Sequence, residues 1–199
     1  MASFETAIPF ILANEGGFQA NPADSGNYDS DGNLIGTNYG ISGQVAREYG
    51  YDGPMEQLPL ETAEAIYYEL YWTGLDEIQS DAIATKILDY FVNFGRGGGT
   101  KIVQRAANEF EGINLAVDGG FGPATIGAVN SIDPIVLMDS LIAQATDQYR
   151  AIAASDPEKA GFLPGWMARV IRIPAENPGA SASVLLLLAG GAYLFLKAR

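Results

Sequence analysis

Apolar residues recur at helical spacing along most of the chain. Residues 3–15 place Phe4, Ile8, Ile11 and Leu12 on one face, and Glu15 continues that stripe four positions after Ile11 and three after Leu12. The segment stops at Gly16-Gly17, a pair suited to a helix C-terminus. Residues 17–42 lose the period and fill with Gly, Asn, Asp and Pro. Asp31-Gly32 is a hairpin turn signal there, so a small sheet of two or three strands is expected. Helical spacing resumes at 62–71. It returns at 82–94, with Ile83, Ile87, Tyr90, Phe91 and Phe94 on one face, and at 100–110 after a break at Gly97-Gly98-Gly99. Two further helices are expected at 123–129 and 134–153, the second carrying Ile135, Met138, Leu141, Ile142, Ala145 and Tyr149 on one face. The fold class is α+β, mainly α, with a small sheet near the N-terminus and no internal repeat.

The stripe directs Glu15 towards the core at the mouth of a turn, half in apolar packing and half in a cleft. Apolar packing keeps a carboxyl protonated near neutrality, which suits a general acid. The plainer alternative is a glutamate at a frayed helix end reaching solvent.

Composition narrows the chemistry. The 199 residues suit one domain with a small extension, and they include neither Cys nor His. Cysteine nucleophiles, Ser-His-Asp triads, His-ligated zinc and disulfide scaffolds are thereby excluded, leaving carboxylates, Tyr and Lys for acid-base work. No metal or cofactor is expected; the Asp29–Asn33 stretch lacks the later ligands of an EF-hand calcium loop. A net charge of -13 repels nucleic acid, so no nucleic-acid partner is expected.

The residues between the first helix and the sheet carry a resemblance. EGGFQANPADSG followed by TNYGIS is similar to the N-terminal signature of glycoside hydrolase family 108 lysozymes, N-acetylmuramidases of phages and bacteria. Further along, Tyr71-Trp72, the run from Asp89 to Gly95, the run from Val117 to Thr125 and the run from Gly165 to Val170 follow the order of that family's second half, described as a peptidoglycan-binding region. The resemblance spans about residues 5 to 172 and implies a lysozyme-like fold and a peptidoglycan glycan strand as substrate. It also implies Glu15, Asp24 and Thr37 as the catalytic set. In the family the Thr follows the Asp by about six residues or fewer, whereas here thirteen positions separate Asp24 from Thr37. The extra residues read as a lengthened hairpin, in which Asp29 and Asp31 compete for the role of Asp24.

Glycoside hydrolysis needs one carboxylic acid to protonate the leaving oxygen, and a second carboxylate to activate water or stabilise the oxocarbenium-like transition state. Glu15 suits the first role and Asp24, in a wet loop, the second, with Thr37 helping to hold the water. A hairpin-borne Asp opposite a helix end favours the wider carboxyl separation, of ~6.5–9.5 Å, that accompanies inversion. Tyr39 and Trp72 are candidates for stacking on sugar rings and Asn93 for a hydrogen bond in the cleft; core packing and a local helix tie are their structural alternatives. Asp118-Gly-Gly-Phe-Gly-Pro reads as a tight turn before a helix. A lytic transglycosylase and a non-catalytic wall-docking protein of the same fold remain as alternatives to the muramidase.

The C-terminus differs from the rest. Residues 180–196 form a run of 17 without a charge, followed by Lys197 and Arg199. As a helix the run spans roughly 25 Å, within reach of a bilayer core. No signal peptide is expected, because the first basic residue is Arg47. The expected organisation is a catalytic lobe over 1–80, a helical lobe over 81–174, a linker over 175–182 and a transmembrane anchor over 183–199. Such an anchor places the enzyme on a virion membrane or a host inner membrane, with lipid and other virion or lysis proteins as partners.

Overall fold

The computed structural model describes residues 1–22 and 24–174. Helix α1 (Phe4–Glu15) starts where the Ser3 hydroxyl accepts from the Thr6 amide, and it ends at Gly16. Its start is tied to the middle of the chain, since Ala2 N–H donates to Ile78 C=O (2.8 Å) and Ser3 N–H to Asp81 Oδ1 (2.8 Å).

The sheet is smaller than the sequence implied, and its turn lies elsewhere. Strands β1 (Thr37–Asn38) and β2 (Ile41–Ser42) pair antiparallel around Tyr39-Gly40, both of which have positive φ (50° and 74°), as a tight hairpin requires. The Asp31-Gly32 signal does form a turn, but it closes only an isolated bridge between Tyr28 and Leu34; a second bridge joins Gln19 to Thr37.

Ser42 then caps α2 (Gly43–Glu48), a short helix with no long apolar stripe to announce it. Helix α3 (Leu60–Tyr67) runs into a wide π-type turn, Tyr68–Trp72. The central element is α4 (Asp81–Ala107), which packs against both α1 and α6 (Pro134–Ser155). Its break falls at Gly95 (φ 69°, ψ 161°), a conformation open to glycine, and the expected break at Gly97-Gly98-Gly99 is helical instead. Ile83, Ile87, Tyr90 and Phe91 before the break and Ile102, Val103 and Ala106 after it are buried, as are Met138, Leu141 and Ala145 of α6. Between them lies α5 (Pro123–Ser131). Asp118 behaves as a turn residue, its Oδ1 accepting from Gly120 N–H and from the buried Gln104 side chain.

Helix α7 (Leu163–Val170) closes the described chain, stacking Trp166 on Tyr149 of α6 at 5.1 Å between ring centroids. The expected linker and membrane span, residues 175–199, lie outside the described residues. Among the described residues no single helix is long and apolar enough to cross a membrane.

Candidate active site

Glu15 is the last residue of α1, and α4, the β1–β2 turn and α3 converge on it. A cleft of about 290 Å³ is lined by Glu15, Gly40, Ile41, Ser42, Val45, Tyr67, Leu70, Tyr71, Val92 and Asn93. The stripe directs Glu15 to a cleft whose lining includes Ile41, Val45, Leu70 and Val92, with 17% of its side chain exposed, but it gives no sign of the cation found beside the carboxyl. The Arg169 guanidinium donates through Nη2 to Glu15 Oε1 at 2.5 Å. The acid is therefore held by a cation from α7, 154 positions away in sequence.

The hairpin presses on the other side of Glu15. A Cβ on Gly40 would lie 2.7 Å from Glu15 Oε2 and 2.6 Å from the Tyr67 hydroxyl, so only glycine fits there, and φ of +74° demands the same. The Tyr67 hydroxyl donates to Tyr39 C=O (2.8 Å) and fixes the turn against the cleft wall. Burial, with the Glu15 charge second, pushes the Tyr67 and Tyr71 hydroxyls above their ordinary pKa and keeps both protonated. Gly40→Ala should cost about 1–2 kcal/mol in backbone strain. It should also lower kcat by about 100-fold, because the new methyl displaces the Glu15 carboxylate. Paired urea titration and activity assays check this, and activity near that of the wild type would contradict the close approach.

Asp24 and Thr37 belong to one polar network beside the cleft. Gln19 Nε2 donates to Asp24 Oδ2 (3.3 Å) and Asn27 Oδ1 (2.9 Å), and the Thr37 hydroxyl donates to the same Asn27 oxygen (2.7 Å). Asp24 is exposed, and its Oδ1 also accepts from Gly26 N–H at 2.9 Å. Neither Asp24 nor Thr37 is among the residues lining the cleft. Asp29 is spent on the hairpin tip, where it accepts from Asp31 N–H, Asn33 N–H and the Asn33 amide; the Asn33 contacts hold its carboxyl below the ordinary range. Asp31 is exposed in the same tip, and neither residue is among those lining the cleft.

The three expected sugar-binding residues sit in different surroundings, and Trp72 needs correction. Trp72 is 3% exposed and packs edge-on against Phe4 at 5.5 Å, so it is core and presents no face to a sugar. Tyr39 is half-buried at the turn and acts through its backbone carbonyl. Asn93 does line the cleft, but its Nδ2 donates to Asp89 C=O (2.6 Å) and Asp89 Oδ1 (3.2 Å), the local helix tie. Tyr71, half-buried, lines the cleft wall together with Tyr67.

Behind Glu15 lies a buried charge cluster missing from the sequence reading. Asp89 is 2% exposed at its side chain and takes Arg169 Nε at 3.0 Å and Nη2 at 2.9 Å on one oxygen, with Lys86 Nζ 3.6 Å from the other. Lys86 is fully buried and donates to Arg172 C=O (2.9 Å). Burial lowers the Lys86 pKa to about 8, Asp89 opposing and Arg169 and Arg172 assisting. Because the folded pKa lies below the unfolded value of 10.5, the unfolded chain holds more protons at this site between pH 8 and 10.5, and the site's contribution to stability rises across that window. The unfolding free energy of the wild type minus that of Lys86→Met should accordingly rise from pH 8 to 10.5, by on the order of 3 kcal/mol. Urea titrations across that range measure it, and a flat difference would contradict the burial of charge. Lys86 was legible in principle, since it interrupts the apolar stripe between Ile83 and Tyr90.

No group of three or more Asp or Glu side chains among the described residues comes together in a way that could hold a metal ion. The site thus combines a cleft-lining carboxylate, two tyrosines and a guanidinium in a mainly helical fold, residue types suited to acid-base chemistry. Comparisons with known proteins agree on the class, a glycoside hydrolase acting on peptidoglycan. The family model described as Glycosyl hydrolase 108 matches residues 8–95, and that described as Predicted Peptidoglycan domain matches residues 98–171. Together the two matches run through most of residues 8–171 and support a glycoside hydrolase 108 region followed by a peptidoglycan-binding region. Among solved structures it is similar in fold to Brucella abortus SagA (TM-score 0.67, 23% identity, 89% of this chain and 95% of the other covered). No curated protein matches it.

Proposed function

We propose that the protein is a muramidase that cleaves the β-1,4 bond between MurNAc and GlcNAc of peptidoglycan with Glu15 as the general acid. The observation that carries this reading is the seating of Glu15 at the end of α1 in the wall of the cleft, with Oε2 beside Gly40. The proton would be carried on Oε2 and passed to the leaving glycosidic oxygen. Asp24 would activate the attacking water, Thr37 would help to order it through the shared Asn27, and a direct attack of this kind inverts the anomeric centre. Tyr71 and Asn93 would line the sugar subsite.

A lytic transglycosylase draws on a specific observation too. Among the described residues Glu15 is the one carboxylate lining the cleft, while Asp24 is engaged with Gln19 and Gly26 outside it, an arrangement that also suits an intramolecular 1,6-anhydro product. The Asp24–Asn27–Thr37 network favours the hydrolase. Mass spectrometry of soluble products from purified peptidoglycan decides between them: reducing MurNAc ends are expected, anhydro ends would move the assignment, and binding without products would leave a docking protein.

Residues 180–196 support a membrane-anchored enzyme, on a phage virion membrane or a host inner membrane, acting in local wall penetration or lysis. Fractionation of the expressed full chain with membranes tests this, and recovery in the soluble fraction would overturn it.

A further inference from the structure

Arg169 belongs by sequence to the stretch matched by the peptidoglycan domain, yet its guanidinium lies on side chains of the hydrolase stretch. Nη2 is 2.5 Å from Glu15 Oε1, and the Nε and Nη2 edge sits 3.0 and 2.9 Å from Asp89 Oδ1. Asp89 is itself fixed by Asn93 and Lys86, and Lys86 grips the carbonyl of Arg172 just beyond α7. Helix α7 is therefore held both at a side chain and at its C-terminal end by residues of α4. Arg172 also donates to the Asn14 side chain, one residue before Glu15.

A glutamate at a helix end has three rotatable bonds, and proton transfer needs its oxygen within hydrogen-bond reach, about 2.6–3.2 Å, of the leaving atom. Gly40 limits Glu15 from one side only. We propose that Arg169 is a positioning residue of the glycosidase reaction, supplied by the second half of the chain: Asp89 aims its planar fork, and the fork holds Glu15 Oε1 so that Oε2 meets the glycosidic oxygen. The second half thus completes the site as well as binding wall, and Glu15 is in register only while α7 is docked. This rests on Glu15 being the acid.

The test uses the full chain with soluble glycan strands as substrate. Arg169→Ala keeps the Lys86–Asp89 pair, and its melting temperature, measured beside its activity, reports how far the fold is weakened. It should lose about 100-fold in kcat with KM within about threefold of wild type. Guanidinium chloride at non-denaturing concentration should restore part of the loss where equal sodium chloride does not, and Arg169→Lys should fall between wild type and Arg169→Ala because it keeps the charge and loses the fork. A folded Arg169→Ala with kcat within twofold of wild type overturns the proposal. A loss that tracks a fall in melting temperature, untouched by guanidinium or by Lys, overturns it equally. Activity of Glu15→Gln equal to wild type would remove the muramidase reading and this proposal together; an inactive Glu15→Gln beside a fully active Arg169→Ala removes this proposal alone.

Discussion

Glu15→Gln is expected to lower kcat on peptidoglycan by about 1,000-fold while the protein stays folded and still binds wall material. The amide fills the same space beside Gly40 and leaves Arg169 on Asp89, so the architecture survives. What disappears is the proton that the leaving oxygen needs, because an amide has none to give at this acidity. Turbidity clearance and product analysis on one protein batch, beside a pull-down on insoluble wall, separate chemistry from binding. Retention of more than a tenth of wild-type kcat would exclude Glu15 as the acid.

The second large effect falls on stability. Asp89→Ala leaves the buried Lys86 ammonium and the Arg169 guanidinium facing each other without the carboxylate between them. Removing one member of a buried ion pair costs about 3–5 kcal/mol, because the charge left behind has lost both water and partner. The loss should be greatest at neutral pH and shrink as Lys86, whose pKa is about 8, gives up its proton. Urea unfolding at pH 7 and pH 9.5 checks magnitude and trend together. A loss below about 1 kcal/mol at pH 7 would mean that the cluster draws on water rather than on Asp89.

Much of this fold was legible in the sequence, because most of its helices bury a stripe and a stripe leaves a period. Helix α1 runs over 4–15 where 3–15 was expected, and α6 over 134–155 where 134–153 was expected. Legibility failed where structure comes from something other than a stripe. Helices α2 and α7, at 6 and 8 residues, are too short to show a period, and both owe their place to tertiary packing. The glycine-run break was misplaced because three glycines in a row look weaker than one, yet only Gly95 adopts a non-helical conformation. For the candidate site, local motifs led to Glu15, which lines the cleft, and to Asp24 and Thr37, which lie outside its lining. They could not lead to Arg169, whose partner lies 154 positions away. Trp72 shows the converse error: a residue type apt for sugar stacking is spent on Phe4.

The charges of this protein lie in two layers, and salt separates them. The surplus of acid that makes up the net charge of -13 sits mostly in reach of solvent, where mobile ions shorten its field to about 10 Å at 0.1 M. The Lys86–Asp89 pair, at 0% and 2% exposure, lies where ions do not enter, and Arg169 is shielded beside it. Brine therefore weakens the outer layer of charge while leaving the Lys86–Asp89 pair, and with it the tie from α4 to the end of α7, close to full strength.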